Sequence, residues 1–327
     1  MNMYPQGFPK HRMLLDFAGG TIKRMAHFAK VANMISLNTS RRWLGILFLC
    51  IAPAFAHAAP PLLAIGVYLP AIRDVPRKDV EITVRVWVEE IASKVGVSIR
   101  PVQLYDDLSA LKRDVVAGKV NYIVSTPMGL AQHFSDDDLA DGFASAGAAN
   151  DALLLVVRRD AGIRRPADLA GRHVQLRERD ELSEIYLNTL LRVSGVSPSQ
   201  LKTVSTQRNA NALVLKLFFN QCDAALITRN AFEIAGELNP QIRKRLQVLD
   251  AYTFEAYRDN IGMFSSSVST EDREAITAAA LTMDNTPRGR QLLEIYRTDK
   301  LIRSHVSDLH PYRALLATHN KLATNGR

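Results

Sequence analysis

The groups able to do covalent or metal chemistry are few in this chain, and none stands in a spacing that such chemistry needs. Cys222, within Asn220-Gln221-Cys222-Asp223, reads either as a nucleophile or as an apolar residue packed at a strand entrance. His305, Asp308 and His310 could meet at a metal, yet their spacing places them on no regular helical face. Asp136, Asp137, Asp138 and Asp141 before Gly142 hint at calcium, but the loop of alternating ligands is missing, and a solvated helix start at Ser135 accounts for them equally. The chain lacks a Gly-x-Ser-x-Gly elbow, a His-Glu-x-x-His helix, a Gly-x-x-x-x-Gly-Lys phosphate loop and a Gly-x-Gly-x-x-Gly turn. No catalytic residue, metal or cofactor is therefore expected, and polar residues at strand ends become the candidates, with hydrogen bonding as their chemistry.

Strands alternating with helices position those ends. Leu62 to Leu69 reads as a buried strand ending at Tyr68 and Pro70. Val84, Val88, Ile91 and Val95 predict a helix over 80–95 that Gly96 stops, and Val97 to Leu104 looks extended. The cycle repeats with a helix over 107–117, closed by Gly118, and a strand Tyr122 to Ser125. A second unit opens with the apolar strand Ala152 to Arg158. It continues with strands over 174–176, 201–204 and 224–227, separated by helices over 182–193 and 210–219. Residues 272–297 look helical again, with a break over Asn285 to Gly289. The fold class is α/β, and two lobes joined by short crossings near 148–152 and 250–262 is the economical arrangement: 59–148 with 252–327, and 149–251.

The net charge of +8 belongs to the leader. Residues 1–58 hold seven of the 41 Lys and Arg and one acid, Asp16, which leaves the rest near neutrality and removes the electrostatic case for a nucleic-acid partner. Arg41 and Arg42, the apolar run Trp43 to Ala56 and the small residues ending at Ala58 have the order of a secretion signal over about 34–58, cleaved after Ala58. The run falls short of the about 20 residues that span a bilayer as a helix. Met34 is a more natural start than Met1 for such a signal, and Leu47-Phe48-Leu49 before Cys50 lacks the small residues of a lipoprotein site. Export leaves Cys222 as a single thiol, so no internal disulfide supports the fold.

The order of these features resembles the solute-binding proteins of phosphate, phosphite and phosphonate ABC importers, over roughly 62–300. The resemblance is densest in Arg158-Arg159-Asp160-Ala161-Gly162-Ile163 and in Ala167-Asp168-Leu169-Ala170-Gly171-Arg172-His173-Val174, similar to the family's strand, turn and Asp-Leu-x-Gly-Lys segment. Gly66-Val67-Tyr68-Leu69-Pro70, Ser125-Thr126-Pro127, Asp223-Ala224-Ala225 and Thr286-Pro287-Arg288-Gly289 add to it. It implies a two-lobed periplasmic-binding-protein-like fold with a ligand cleft between the lobes. In that family the second lobe's first helix opens with a Ser/Thr/Gly-rich turn that holds phosphonate oxygens. The matching stretch, Arg177 to Glu184, keeps only Ser183, and Asp180, Glu181 and Glu184 would repel a dianion, so an amine-bearing or zwitterionic solute is the alternative. Asp180 as a helix cap, with Glu181 and Glu184 at the positive end of the helix dipole, is an equally physical reading of that run.

The candidate ligand contacts are Tyr68, Tyr105, Ser125, Thr126, Arg177, Ser183, Arg208, Asn209, Asn211 and Thr228. Each also has a structural role open to it: packing for the tyrosines, turn satisfaction for Ser125 and Thr126, capping for Arg208, Asn209 and Asn211. The expectation is a periplasmic, monomeric, non-enzymatic protein that closes over a small polar solute and hands it to the membrane permease of an ABC importer. The alternative is a ligand-sensing subunit that docks on a membrane sensor receptor. An enzyme on the same lobes is a third and weaker reading.

Overall fold

The computed structural model describes residues 62–72, 75–146, 152–253, 258–295 and 298–325. The leader, its cleavage site and Cys50 lie outside the described residues, as do the crossing at 147–151, part of the crossing at 254–257, and Tyr296.

The first unit opens with β1 (Leu62–Leu63) and β2 (Ile65–Tyr68), one apolar run split at Ala64. The helix α1 (Arg77–Val95) buries Val80, Val84, Val88 and Ile91 on one stripe, and Gly96 ends it with a left-handed φ of 68°. After β3 (Ser98–Ile99) and β4 (Gln103–Tyr105), Asp107 caps α2 (Leu108–Val116) by accepting the amides of Ser109 and Ala110. Then follow β5 (Tyr122–Ser125), α3 (Pro127–His133), β6 (Leu139–Ala140) and β7 (Gly142–Ser145). The Asp136–Asp138 run forms a single 3-10 turn rather than a longer helix start, because Asp138 folds back to accept the Ser135 amide at 2.8 Å.

The second sheet begins with β8 (Ala152–Arg158), whose residues through Val157 are all buried. A continuous apolar strand of this kind belongs in the middle of a sheet covered on both faces. It continues through β9 (His173–Arg177), α4 (Glu181–Val193), β10 (Thr203–Gln207), α5 (Ala210–Phe218) and β11 (Ala224–Thr228). The helices α6 (Arg229–Leu238) and α7 (Pro240–Arg245) lead into β12 (Leu246–Thr253). The strand expected at 201–204 lies two residues later. Leu201 and Lys202 complete the turn after Gln200, and β10 is set by its register with β9, from Thr203 opposite His173 to Gln207 opposite Arg177. Its polar Ser-Thr-Gln end sits at a sheet edge, where no apolar pattern is required.

The chain then returns to the first sheet with β13 (Ile261–Ser265), followed by α8 (Thr270–Leu281), α9 (Pro287–Ile295), β14 (Leu301–Ser304) and α10 (His310–Asn325). The helical break falls earlier than Asn285 to Gly289. α8 stops at Leu281, and α9 starts at Pro287, where a proline costs no hydrogen bond and Thr286 Oγ1 accepts the Gly289 amide at 3.0 Å.

The strand orders are β4-β2-β5-β13-β6 and β10-β9-β11-β8-β12, with short pairs β1-β3 and β14-β7. In each five-stranded sheet three neighbouring strands are parallel, the fourth (β13 or β8) runs antiparallel to them, and the fifth (β6 or β12) runs antiparallel to the fourth. Apolar clusters cover both faces of each sheet. One cluster crosses between them: Met128 and Ala131 of α3 and Tyr312 and Leu315 of α10 pack with Ile185, Tyr186 and Leu187 of α4. No helix among the described residues is long and apolar enough to cross a membrane.

Candidate functional site

In a parallel α/β sheet the ligand crevice lies beyond the carboxyl ends of the strands. Those ends are Tyr68, Tyr105 and Ser125 on one sheet and Arg177, Gln207 and Thr228 on the other.

Two sets of side chains meet there. In the first, Glu181, the opening residue of α4, reaches the other sheet. The Tyr68 hydroxyl donates to its Oε1 at 2.6 Å, and the Thr126 hydroxyl donates to its Oε2 at 3.3 Å. Thr126 Oγ1 also caps α3 by accepting the Gly129 amide at 3.0 Å, so its lone pair is used within its own turn and its hydrogen is left for the carboxylate. Ser125 beside it is fully buried, with an Oγ that has no hydrogen-bond partner. Burial and the Glu181 carboxylate both push the Tyr68 phenol well above the usual tyrosine range, which keeps it a donor. Only about 10 Å3 of free space remains around Thr126, Asp180 and Glu181, room for about one water.

The second set lines an adjoining cavity of about 300 Å3. Its polar wall carries Arg77, Arg177, Arg179 and Arg208 with Glu178. Asp106 is shared, paired with Arg77 and 3.2 Å from Arg179. These two guanidiniums hold the Asp106 carboxyl below its ordinary range. Arg177 Nη1 is 3.6 Å from Asp259. Arg208 is exposed and forms no ion pair among the described residues. Arg179 has a φ of 55°, a left-handed conformation that a non-glycine residue adopts at a cost of about 1–2 kcal/mol. That turn points the chain from β9 into α4 and sets both Arg179 and Glu181 toward the other sheet.

The remaining candidates are placed elsewhere. The Tyr105 hydroxyl lies 2.5 Å from Gln103 Oε1 and 2.8 Å from Asp114 Oδ2, inside its own lobe. Ser183 is fully buried, its amide and hydroxyl both donating to Asp180, which caps α4. Asn209 caps α5 by accepting the Asn211 amide at 2.8 Å, and Thr228 caps α6 by accepting the Ala231 amide at 3.3 Å. Asn211 is exposed on the first turn of α5. The structure thus brings Tyr68, Ser125 and Thr126 together at one seat and Arg177 and Arg208 at the next. Reading the sequence missed Arg77, Arg179 and Asp106, and gave Glu181 only a helix-end or repulsive role. Their signal was weak, since a charged residue beside a helix start is ordinary solvated surface.

The groups first considered for chemistry are accounted for by contacts. Cys222 is buried, and that burial pushes its thiol up to about 11, far from the range of a nucleophile. His305 Nδ1 is 2.7 Å from Asp141, His310 Nε2 is 3.3 Å from Asp136, and Asp308 pairs with the buried Arg258 at 3.1 Å. The three therefore face different partners, and no metal-holding cluster exists among the described residues.

The sequence profile of the family described as "ABC transporter, phosphonate, periplasmic substrate-binding protein" matches residues 74–309. No curated protein matches the chain. Among solved structures, a Xanthomonas citri protein bound to chloride ion superposes with a TM-score of 0.59 at 13% identity, covering 81% of this chain and 99% of that one. The binding component of an ABC phosphonate transporter from Pseudomonas aeruginosa gives 0.56 at 12% identity, covering 82% and 90%. PhnD1 from Prochlorococcus marinus, in complex with methylphosphonate, gives 0.56 at 12% identity, covering 81% and 99%. Likeness at this identity carries the two-lobed fold.

Proposed function

From the premise that the chain belongs to the family of periplasmic substrate-binding proteins of phosphonate ABC transporters, we propose that it closes over a small phosphonate-type solute and presents it to a membrane permease. The observation that supports this reading best is the cavity of about 300 Å3 at the junction of the two sheets, lined by Arg77, Arg177, Arg179 and Arg208. Such a site needs no catalytic group. Hydrogen bonds and ion pairs in a cleft from which water is expelled supply selectivity, and lobe motion supplies release.

The same reading makes the protein a monomer without enzymatic activity, exported by the leader over about 34–58. Its lobes are 59–148 with 252–327 and 149–251. A second reading, a sensing subunit docked on a membrane receptor, draws support from Glu181, which already bridges the two halves of the site. A thermal-shift screen of the purified protein against phosphate, phosphonates, amino acids and polyamines tests both. A stabilising solute, together with a smaller radius of gyration in X-ray scattering, is the expected result for uptake. No shift with any class would overturn the solute-carrier reading and favour the receptor.

A further inference from the structure

The two sets of polar side chains at the sheet junction differ in what they can still accept. The hydroxyl seat, made by Tyr68, Ser125 and Thr126, already holds a carboxylate: Glu181 takes Tyr68 at 2.6 Å and Thr126 at 3.3 Å, and the free space beside it is about 10 Å3. An incoming anion would have to displace a group tethered to the chain, whose effective concentration no dilute solute matches. It would also face Asp180 and Asp259, which line that space with Glu181 and with Arg258, itself paired with Asp308.

The adjoining cavity has the opposite character. Its volume of about 300 Å3 is at the small end of known ligand sites. Arg77 and Arg179 share the one carboxylate of Asp106, Arg177 pairs with Asp259, and Arg208 has no ion partner among the described residues. Among the described residues, Glu178 is the acid in the same lining. The apolar part of the lining is Leu69, Pro70, Ile72 and Val75, at the exit of β2 and the approach to α1. A forked guanidinium pairs with two oxygens of one anion at a time, and an aliphatic wall stabilises a hydrocarbon substituent by removing it from water.

We propose that the anionic group of this protein's solute binds to Arg177, Arg179 and Arg208 in this cavity, with an apolar organic substituent on Leu69, Pro70 and Val75, while Glu181 fills the hydroxyl seat as an internal carboxylate. The ligand class is an organophosphonate or organophosphate whose substituent is larger than a methyl group. This deepens the phosphonate reading above and rests on it.

Isothermal titration of the purified protein with phenylphosphonate, methylphosphonate and inorganic phosphate is the direct test. Phenylphosphonate is expected to bind at least fivefold tighter than methylphosphonate, and tighter still than phosphate. Arg208→Ala and Arg179→Asn are expected to weaken it at least fivefold each; both side chains are exposed, and asparagine tolerates the left-handed turn at 179. Tyr68→Phe and Ser125→Ala are expected to change its affinity less than threefold. Raising salt from 50 to 500 mM should weaken binding, as for partly exposed charges. Arginine variants within twofold of the parent, or a Tyr68→Phe loss above tenfold, would place the anion in the hydroxyl seat and overturn the proposal. Binding of amino acids or polyamines with no phosphonate bound would overturn it too, while leaving a solute carrier intact. Failure of every solute class would remove both.

Discussion

Tyr68 ends the second strand of one sheet and Glu181 begins the first helix of the other, and the phenol hydroxyl of the former lies 2.6 Å from a carboxylate oxygen of the latter. The contact joins the two halves of the site directly. A hydrogen bond to a charged acceptor contributes about 1.5–3 kcal/mol when well protected, and less here because Glu181 is half exposed. Together with the apolar cluster that α3 and α10 share with α4, it ties the two lobes to each other. Tyr68→Phe should therefore increase the radius of gyration of the solute-free protein in X-ray scattering. An unchanged profile would show that the apolar cluster alone sets the separation of the lobes.

The buried tyrosines give the protein an alkaline limit. Burial and nearby carboxylates raise the phenols of Tyr68, Tyr105 and Tyr186 above the ordinary tyrosine value, and burial raises Tyr122 and Tyr312 as well. Each then binds its proton more tightly folded than unfolded. Their contribution is fully present below about pH 10, the unfolded value, and is lost as pH rises above it. Urea midpoints should fall steeply above pH 10, and the fall should be shallower in Tyr68→Phe. Equal slopes for parent and variant would show that the Tyr68 site does not carry its share.

Ser125 is the one hydroxyl of the seat without a partner, and its side chain is fully buried. A buried, unsatisfied hydroxyl is a cost to the folded state, so replacing it by a methyl group removes a penalty. Ser125→Ala should leave stability unchanged or raise it by up to about 1 kcal/mol in urea unfolding. A loss above about 1 kcal/mol would mean that the hydroxyl has a bridging water or another donor to serve.

Much of this architecture was legible because apolar periodicity and helix ends are local. The strands at 122–125 and 152–158 lie where the alternation of buried runs and glycines puts them, and Asp107 and Asn209 cap helices that begin directly after them. The short strands β6 and β7 and the returning strand β13 were not read, since each is defined by its antiparallel partner rather than by its own pattern. The site was legible only in part for the same reason. Strand-end hydroxyls and Arg208 could be named from position, whereas the role of Glu181 depends on a residue 113 positions away, and the shared Asp106 depends on two arginines from separate segments. Such pairings are made by tertiary packing and leave no trace in spacing.

Cys222 is shielded by its burial. Its side chain packs with Val214, Phe218 and Ala225, and its thiol is raised to about 11 by burial first and by Asp223 next. In native protein at pH 8 an aromatic disulfide reagent should react with it at least a hundredfold more slowly than in denaturant, since both thiolate fraction and access are reduced. Fast reaction in the native state would show that the β11 entrance opens on the time scale of the assay.

The helix α10 packs against elements of both lobes. Leu315 is buried on α10 among residues of α4, and Arg313 donates to the carbonyls of Ala131 and Phe134 at 3.1 and 2.7 Å, so the helix is fastened to both α3 and α4. Removing the Leu315 side chain leaves a cavity at the point where the clusters of the two sheets meet. Leu315→Ala should cost about 2–4 kcal/mol in urea unfolding, within the range for a buried leucine. The loss should also expand the protein in scattering at concentrations well below the midpoint, because the cavity weakens the junction more than either sheet. A loss of the full size with no expansion would assign α10 to one lobe's core alone, and leave the Tyr68–Glu181 contact as the main tie between the halves.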